Sequence, residues 1–286
     1  MTTPARAKDI VFTRYGARRG VAWLVEAYAM FRRAPLAWLA LMMLYMVFLF
    51  FATTLPFAAQ LFLLVRPVLA VGLLAAAWTQ ERGGRPRISQ MFQGFRANLR
   101  ALIALGALSI AGIMLAILAT ALFDGGVLLE LIGRDPAGGD AGRIAVTDAV
   151  LKSGRLQASM LIAACLSLPT VLALWYAPAL VVFQDAGPLT ALGASFRAAF
   201  ANWRPILIYG LSVALFGAVV PSLIINAVLT LAPNETSLLV LRFAFIAYWL
   251  MFSAILHISD YVSYRDVFHA GETLAPLPER EREPAS

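Results

Sequence analysis

Residues 80–106 read QERGGRPRISQMFQGFRANLRALIALG, and residues 184–210 read QDAGPLTALGASFRAAFANWRPILIYG. At one constant offset, Gln80, Gly83, Phe92, Ala97, Asn98, Arg100 and Gly106 match Gln184, Gly187, Phe196, Ala201, Asn202, Arg204 and Gly210. In each copy an apolar run ends in a polar turn, a short amphipathic helix follows, and another apolar run begins. A supersecondary unit used more than once constrains the architecture before any single residue does.

Working outward, the whole chain is 61% hydrophobic and 14% charged. Soluble domains average about 25% charged residues, so this chain has too little polar surface to coat a water-exposed globule, and a membrane protein is predicted. The net charge of +7 does not point to nucleic acid. The arginines sit in short segments between apolar runs, as the positive-inside rule expects, and build no separate basic domain. Cys165 is the single cysteine and lies inside an apolar run, where a thiol behaves as a small hydrophobe. No cleavable signal peptide is expected, because the first apolar run starts near Leu36 and exceeds a signal's core of roughly 7–15 residues.

The apolar runs predict six spanning helices, at about 35–55, 57–78, 101–123, 158–183, 205–231 and 237–264. About 20 residues at 1.5 Å each cross a hydrocarbon core of about 30 Å. An amphipathic segment precedes each pair of helices, so three stripes are read: Val21, Leu24, Tyr28, Phe31; then Ile88, Met91, Phe92, Phe95, Leu99; then Leu189, Leu192, Phe196, Phe200, Trp203. The first copy is degenerate but keeps its stripe and a Pro35 that parallels Pro205. The fold class expected is therefore an all-α integral membrane protein. Its three parallel helix-pair repeats each begin with an interfacial helix on the cytoplasmic side, unlike the inverted repeats common in secondary transporters. Residues 1–20 form a cytoplasmic tail, 21–268 the transmembrane domain, and 269–286 a Pro- and Glu-rich disordered tail. The loop 124–157 is rich in Gly and Asp, with a possible short helix at 143–152. It and the turn after Pro233 carry no basic excess, so both termini are expected in the cytoplasm.

Small residues line two helices at four-residue spacing: Gly112, Ala116, Thr120, and Gly210, Ala214, Ala218, Ser222. The second stripe serves internal packing and homo-oligomer contact equally well. Pro169 and Pro178 predict a kink in the fourth span. Asn234 or Thr236 is placed to cap the sixth, which ends in Tyr261, Tyr264 and Arg265 as interfacial anchors.

Arg66 is the most expensive residue, since a mid-membrane arginine costs about 2.5–3.5 kcal/mol on insertion scales. It either contacts a ligand or lipid headgroup, pairs inside the bundle, or snorkels outward. His257 and Asp260 share a face of the sixth span with Tyr264 and could line a polar path. Asp260 is a possible partner for Arg66, although depth counting puts the two on different levels. No metal site is expected, because no further His or Cys cluster supplies three or four ligands. Asn98 and Asn202 are read as interfacial elbows that satisfy backbone groups where the chain turns into the bilayer. Arg100 and Arg204 would then sit at anionic headgroups of the cytoplasmic leaflet, each worth roughly 1 kcal/mol. Enzyme signatures such as G-x-S-x-G, H-E-x-x-H or a phosphate-binding loop are absent, and no cofactor is expected.

Several helix ends carry a resemblance. Phe31-Arg32-Arg33-Ala34-Pro35, Tyr176-Ala177-Pro178-Ala179-Leu180, Asn202-Trp203-Arg204-Pro205 with Tyr209-Gly210, and Ser263-Tyr264-Arg265-Asp266-Val267-Phe268 resemble an uncharacterised family of bacterial inner-membrane proteins. That family is similar in layout to the membrane domain attached to some glycerophosphodiester phosphodiesterases. The catalytic domain of those enzymes has no counterpart here, so the resemblance implies a fold and an inner-membrane location and no activity. Two functions remain open. One is a non-enzymatic scaffold, partner-binding or lipid-interacting protein; the other is a transporter or channel for a small or lipid-like solute, with Arg66, His257 and Asp260 along its path.

Overall fold

The computed structural model describes residues 10–54, 58–129, 154–232 and 234–270. The Pro56 and Pro233 turns, residues 1–9, most of the 124–157 loop with its possible helix, and the tail from 271 lie outside them. The regular elements among the described residues are all helical: α1 (Arg19–Arg33), α2 (Pro35–Thr54), α3 (Ala58–Glu81), a 3-10 segment (Ile88–Arg96), α4 (Leu99–Asp124), α5 (Gly154–Trp175), α6 (Ala177–Phe183), α7 (Pro188–Ala201), α8 (Trp203–Ala214), a π turn (Leu215–Val219), α9 (Val220–Leu231) and α10 (Glu235–Phe268). Among them are six stretches long and apolar enough to cross a membrane: α2, α3, α4, α5–α6, α8–α9 and α10. Helix is the form such runs must take, because a backbone in hydrocarbon has to satisfy its own polar groups.

Proline shapes two of these spans. Pro178 has no N–H and its ring crowds the carbonyl four residues earlier, and the fourth span breaks at Tyr176 between α5 and α6. The break is repaired from outside the span: the Tyr176 N–H donates to Ser195 Oγ of α7 at 2.9 Å, and that hydroxyl donates to the Leu172 carbonyl at 3.0 Å. In the fifth span the π turn ends two residues before Pro221, and the Phe216 carbonyl within it accepts from the Tyr248 hydroxyl. Asn234 caps α10 by accepting from the Ser237 N–H at 2.9 Å.

The spans pack as antiparallel pairs, α2 on α3, α4 on α5 and α9 on α10, joined further by α3 on α4 and α10 on α2. Gly112 approaches Thr170 across the α4–α5 seam, where Ala116 and Thr120 are buried. The other stripe behaves differently, because Gly210, Ala214, Ala218 and Ser222 are all exposed. It therefore contributes nothing to internal packing. The repeat-related glycines give a matched test. A Cβ at Gly106 would lie 2.1 Å from the Leu64 carbonyl oxygen, whereas one at Gly210 meets nothing within 4 Å. Gly106→Ala is expected to lower stability by about 1–3 kcal/mol through overpacking. Gly210→Ala should be neutral or stabilise by up to about 1 kcal/mol through helix propensity. Thermal unfolding of the two variants in one detergent checks the contrast.

Three short segments precede α2, α4 and α8 in the chain. Of these, α1 packs on α10 and α8, the 3-10 segment on α3, and α7 on α5. The middle segment is 3-10, and its backbone is pressed onto α3: a Cβ at Gly94 would stand 2.0 Å from the Val68 carbonyl oxygen. The stripes read from the sequence mostly point away from the bundle, with Val21, Tyr28, Ile88, Phe92, Phe95, Leu189, Phe200 and Trp203 exposed. The faces packed inward are the other ones, Trp23, Ala27 and Met30 in α1 and Ala191, Ala194, Ser195 and Ala198 in α7. Tyr261 and Tyr264 are fully buried and so are not interfacial anchors; both rings are covered by neighbouring helices.

Candidate functional site

Two polar constellations occupy the described bundle. The first ties helix ends together. Arg19 Nε donates to Asp266 Oδ2 at 2.5 Å and Arg19 Nη1 stands 2.7 Å from Glu26 Oε1. The Trp23 indole N–H donates to the same Asp266 oxygen at 2.9 Å. Arg265 reaches Glu26 at 2.9 Å and Asp266 at 3.0 Å, and also binds Glu81, which accepts from the Tyr261 hydroxyl as well. One arginine thus joins α1, α3 and α10. The hydrogen bond to Asp266 holds the Arg19 guanidinium above its ordinary pKa, and burial followed by the Asp266 charge raises the Tyr15 phenol. Arg265, expected as an interfacial anchor, is instead the hub of this clamp.

Asn202 extends the clamp to the chain's start. Its Oδ1 accepts from the Tyr15 N–H at 2.8 Å, and its Nδ2 donates to the Thr13 and Ala198 carbonyls, each at 3.0 Å. Its repeat mate Asn98 does something simpler, accepting from the Ala101 N–H at 3.4 Å as the cap of α4. Gln80 bridges similarly, accepting from the Trp38 indole and donating to the Met30 carbonyl, both at 2.7 Å. Arg100 and Arg204 are exposed at the starts of α4 and α8, and Arg204 lies over the Trp203 ring at 5.5 Å.

The second constellation is a cavity of about 340 Å³ within the spans. Arg66 of α3 and His257 and Asp260 of α10 all line it, together with Tyr45, Ser109, Thr170 and Tyr209 from four further helices. Tyr264, which shares the His257 and Asp260 face, also lines it, and most of the remaining wall is apolar, including Leu63, Ile113 and Leu174. His257 Nδ1 stands 3.6 Å from Asp260 Oδ2, and the His257 ring meets the Tyr45 ring edge-on at 5.3 Å. Among the described residues no carboxylate lies within 4.0 Å of the Arg66 guanidinium; the side chain sits beside Tyr45. Asp260 is therefore the partner of His257 and not of Arg66. Depth counting separated Arg66 and Asp260 because it ignored the reach of a long side chain; both arrive at one cavity. The described residues contain no group of three or more His, Cys, Asp or Glu placed to hold a metal ion.

The cavity wall has one loosely closed side. Where α3 meets α4, and α10 meets α2, successive pairs are packed; α5 and α8–α9 do not pack along their lengths. They touch where Trp175 meets Tyr209 edge-on at 5.5 Å. Met160, Leu161, Leu168 and Val171 on α5, and Leu207, Leu211, Leu223 and Ile224 on α8–α9, are exposed.

The sequence singled out Arg66, His257 and Asp260 and missed Tyr45, Ser109, Thr170 and Tyr209. Their only signal was a polar atom inside an apolar run, and isolated Ser, Thr and Tyr are common enough in spanning helices to pass unremarked.

Comparison with known proteins agrees with a membrane-spanning chain. Residues 54–127 match a family described as predicted integral membrane protein (DUF2189). Over 268 residues the chain is 30% identical to a probable inner membrane protein of Burkholderia thailandensis, covering 91% of this chain and 94% of the relative. No solved structure matches. The chain belongs to the family of that Burkholderia protein and is an integral, multi-pass protein of the inner membrane.

Proposed function

We propose that this protein is a non-enzymatic inner-membrane protein that binds a phospholipid-like amphiphile in the cavity beside Arg66, admitting it sideways from the bilayer between α5 and α8–α9. The observation that carries this reading is the meeting of Arg66, His257 and Asp260 in one space among the apolar helices. A membrane arginine lacking a carboxylate partner is costly and marks a functional contact by default. A phosphate supplies the missing charge, and the guanidinium fork suits it in geometry as well. The apolar wall and the unpacked side suit acyl chains, and the volume falls in the range of ligand sites, about 300–1,000 Å³.

In this reading the helix pairs are three parallel repeats with both termini in the cytoplasm. The outward stripes and exposed arginines of the three introductory segments rest at anionic headgroups. The exposed Gly210, Ala214, Ala218 and Ser222 face remains available to a second copy. The test is Arg66→Leu, purified in mild detergent beside the wild type, with co-purified lipid quantified by mass spectrometry. Loss of a charge-assisted contact worth about 1.5–3 kcal/mol predicts at least a roughly tenfold fall in retained phospholipid, while the melting temperature holds or rises. Equal retention in the two proteins would rule the site out.

A further inference from the structure

We infer that the cavity selects a zwitterionic aminophospholipid of the leaflet nearest the clamp, with the phosphate on Arg66 and the ammonium on Asp260. This rests on the reading of the cavity as a phospholipid site. A purely anionic head would satisfy Arg66 but would also face Asp260, whose side chain is 44% exposed in the same space. Like charge opposed to a carboxylate in a low-dielectric setting is unfavourable. A head carrying both signs meets both groups, and a primary ammonium has three donors for the Asp260 oxygens.

The order of the two groups along the membrane normal fits as well. Glu81 and Arg265 are ion-paired and therefore share a level. Asp260 precedes Arg265 by roughly 8 Å along α10, and Arg66 precedes Glu81 by roughly 22 Å along α3, at 1.5 Å per residue. Asp260 thus springs from a level nearer the clamp, and Arg66 from deeper in the membrane. In an aminophospholipid of that leaflet the amine is outermost, the phosphate next, and the acyl chains deepest. Its chains then leave through the loose side between α5 and α8–α9, where Thr170, Val171 and Leu174 line the cavity.

The experiment is competitive lipid retention by native mass spectrometry, with phosphatidylethanolamine and phosphatidylglycerol of the same acyl chains offered at equal amounts. The wild type is expected to prefer phosphatidylethanolamine by roughly tenfold, the scale of one charge-assisted contact. Asp260→Asn should keep its total phospholipid and lose the preference. On the unmodified protein, N-acetylated phosphatidylethanolamine, which lacks the ammonium, should bind no better than phosphatidylglycerol; this arm needs no variant to fold. Preference for phosphatidylglycerol, or a preference that survives Asp260→Asn or N-acetylation, overturns the assignment. Displacement of bound lipid by water-soluble phosphoethanolamine overturns the lipid source and points to a free phosphate ester. If instead Arg66→Leu retains as much total phospholipid as the wild type, the underlying site itself has failed.

Discussion

Asp266→Ala is expected to remove about 3–5 kcal/mol of stability, the cost of breaking a buried ion pair by deleting one partner. The Asp266 side chain is 8% exposed and accepts from Arg19, Trp23 and Arg265. Its loss leaves a fully buried indole N–H without its acceptor and two guanidiniums short of charge. Because those donors come from α1 and α10 itself, the variant should release α1 from the bundle. Asp266→Asn keeps an acceptor in place and should lose roughly half as much. Glu26→Ala, at a more exposed position, should fall in the surface range of about 0–1 kcal/mol. Denaturation midpoints of the three variants in one detergent give the ranking, and equal losses for Asp266→Ala and Glu26→Ala would contradict the clamp.

Asn202→Ala is the second large effect. Asn202 is completely buried, and its removal strands the Tyr15 N–H and the Thr13 carbonyl, each unsatisfied group costing about 1–3 kcal/mol if it stays buried. The cheaper outcome is for residues 10–18 to leave the surface. Brief trypsin treatment of folded protein should then cut at Arg14 and Arg18 in the variant and spare the wild type. Asn98→Ala, at the matching repeat position, loses only a helix cap worth about 1 kcal/mol and should leave the amino-terminal segment protected. Similar cleavage of both variants would show that the two asparagines play one role.

The contrast between Asn98 and Asn202 shows where the sequence stopped being informative. An apolar run of some 20 residues is a one-dimensional signal, so the six spans were legible to within a few residues at most ends. The clamp was not. Arg19 and Asp266 are 247 residues apart, and nothing in the neighbourhood of Glu26, Glu81 or Asp266 says which arginine each will meet. For a related reason the sequence left the role of the Gly210, Ala214, Ala218 and Ser222 stripe open: four-residue spacing says that a face can pack, not that a helix of the same chain stands opposite. The outward stripes of α1 and α7 were legible as stripes, but both helices also bury a second face, Trp23, Ala27 and Met30 in α1 and mostly alanines in α7. Arg66, His257 and Asp260 were each visible through the cost of polarity in hydrocarbon. Their meeting depends on helix pairing and side-chain reach, which residue spacing does not encode.

The most direct test of a phospholipid site open to the bilayer is photo-crosslinking in membranes with a phospholipid whose acyl chain carries a diazirine. The predicted adducts concentrate on the cavity side of α5 and α8, around Thr170, Val171, Leu174 and Tyr209, and disappear in Arg66→Leu. Adducts spread evenly over the outward faces of all six spans, and unchanged by Arg66→Leu, would show only annular lipid and contradict the account.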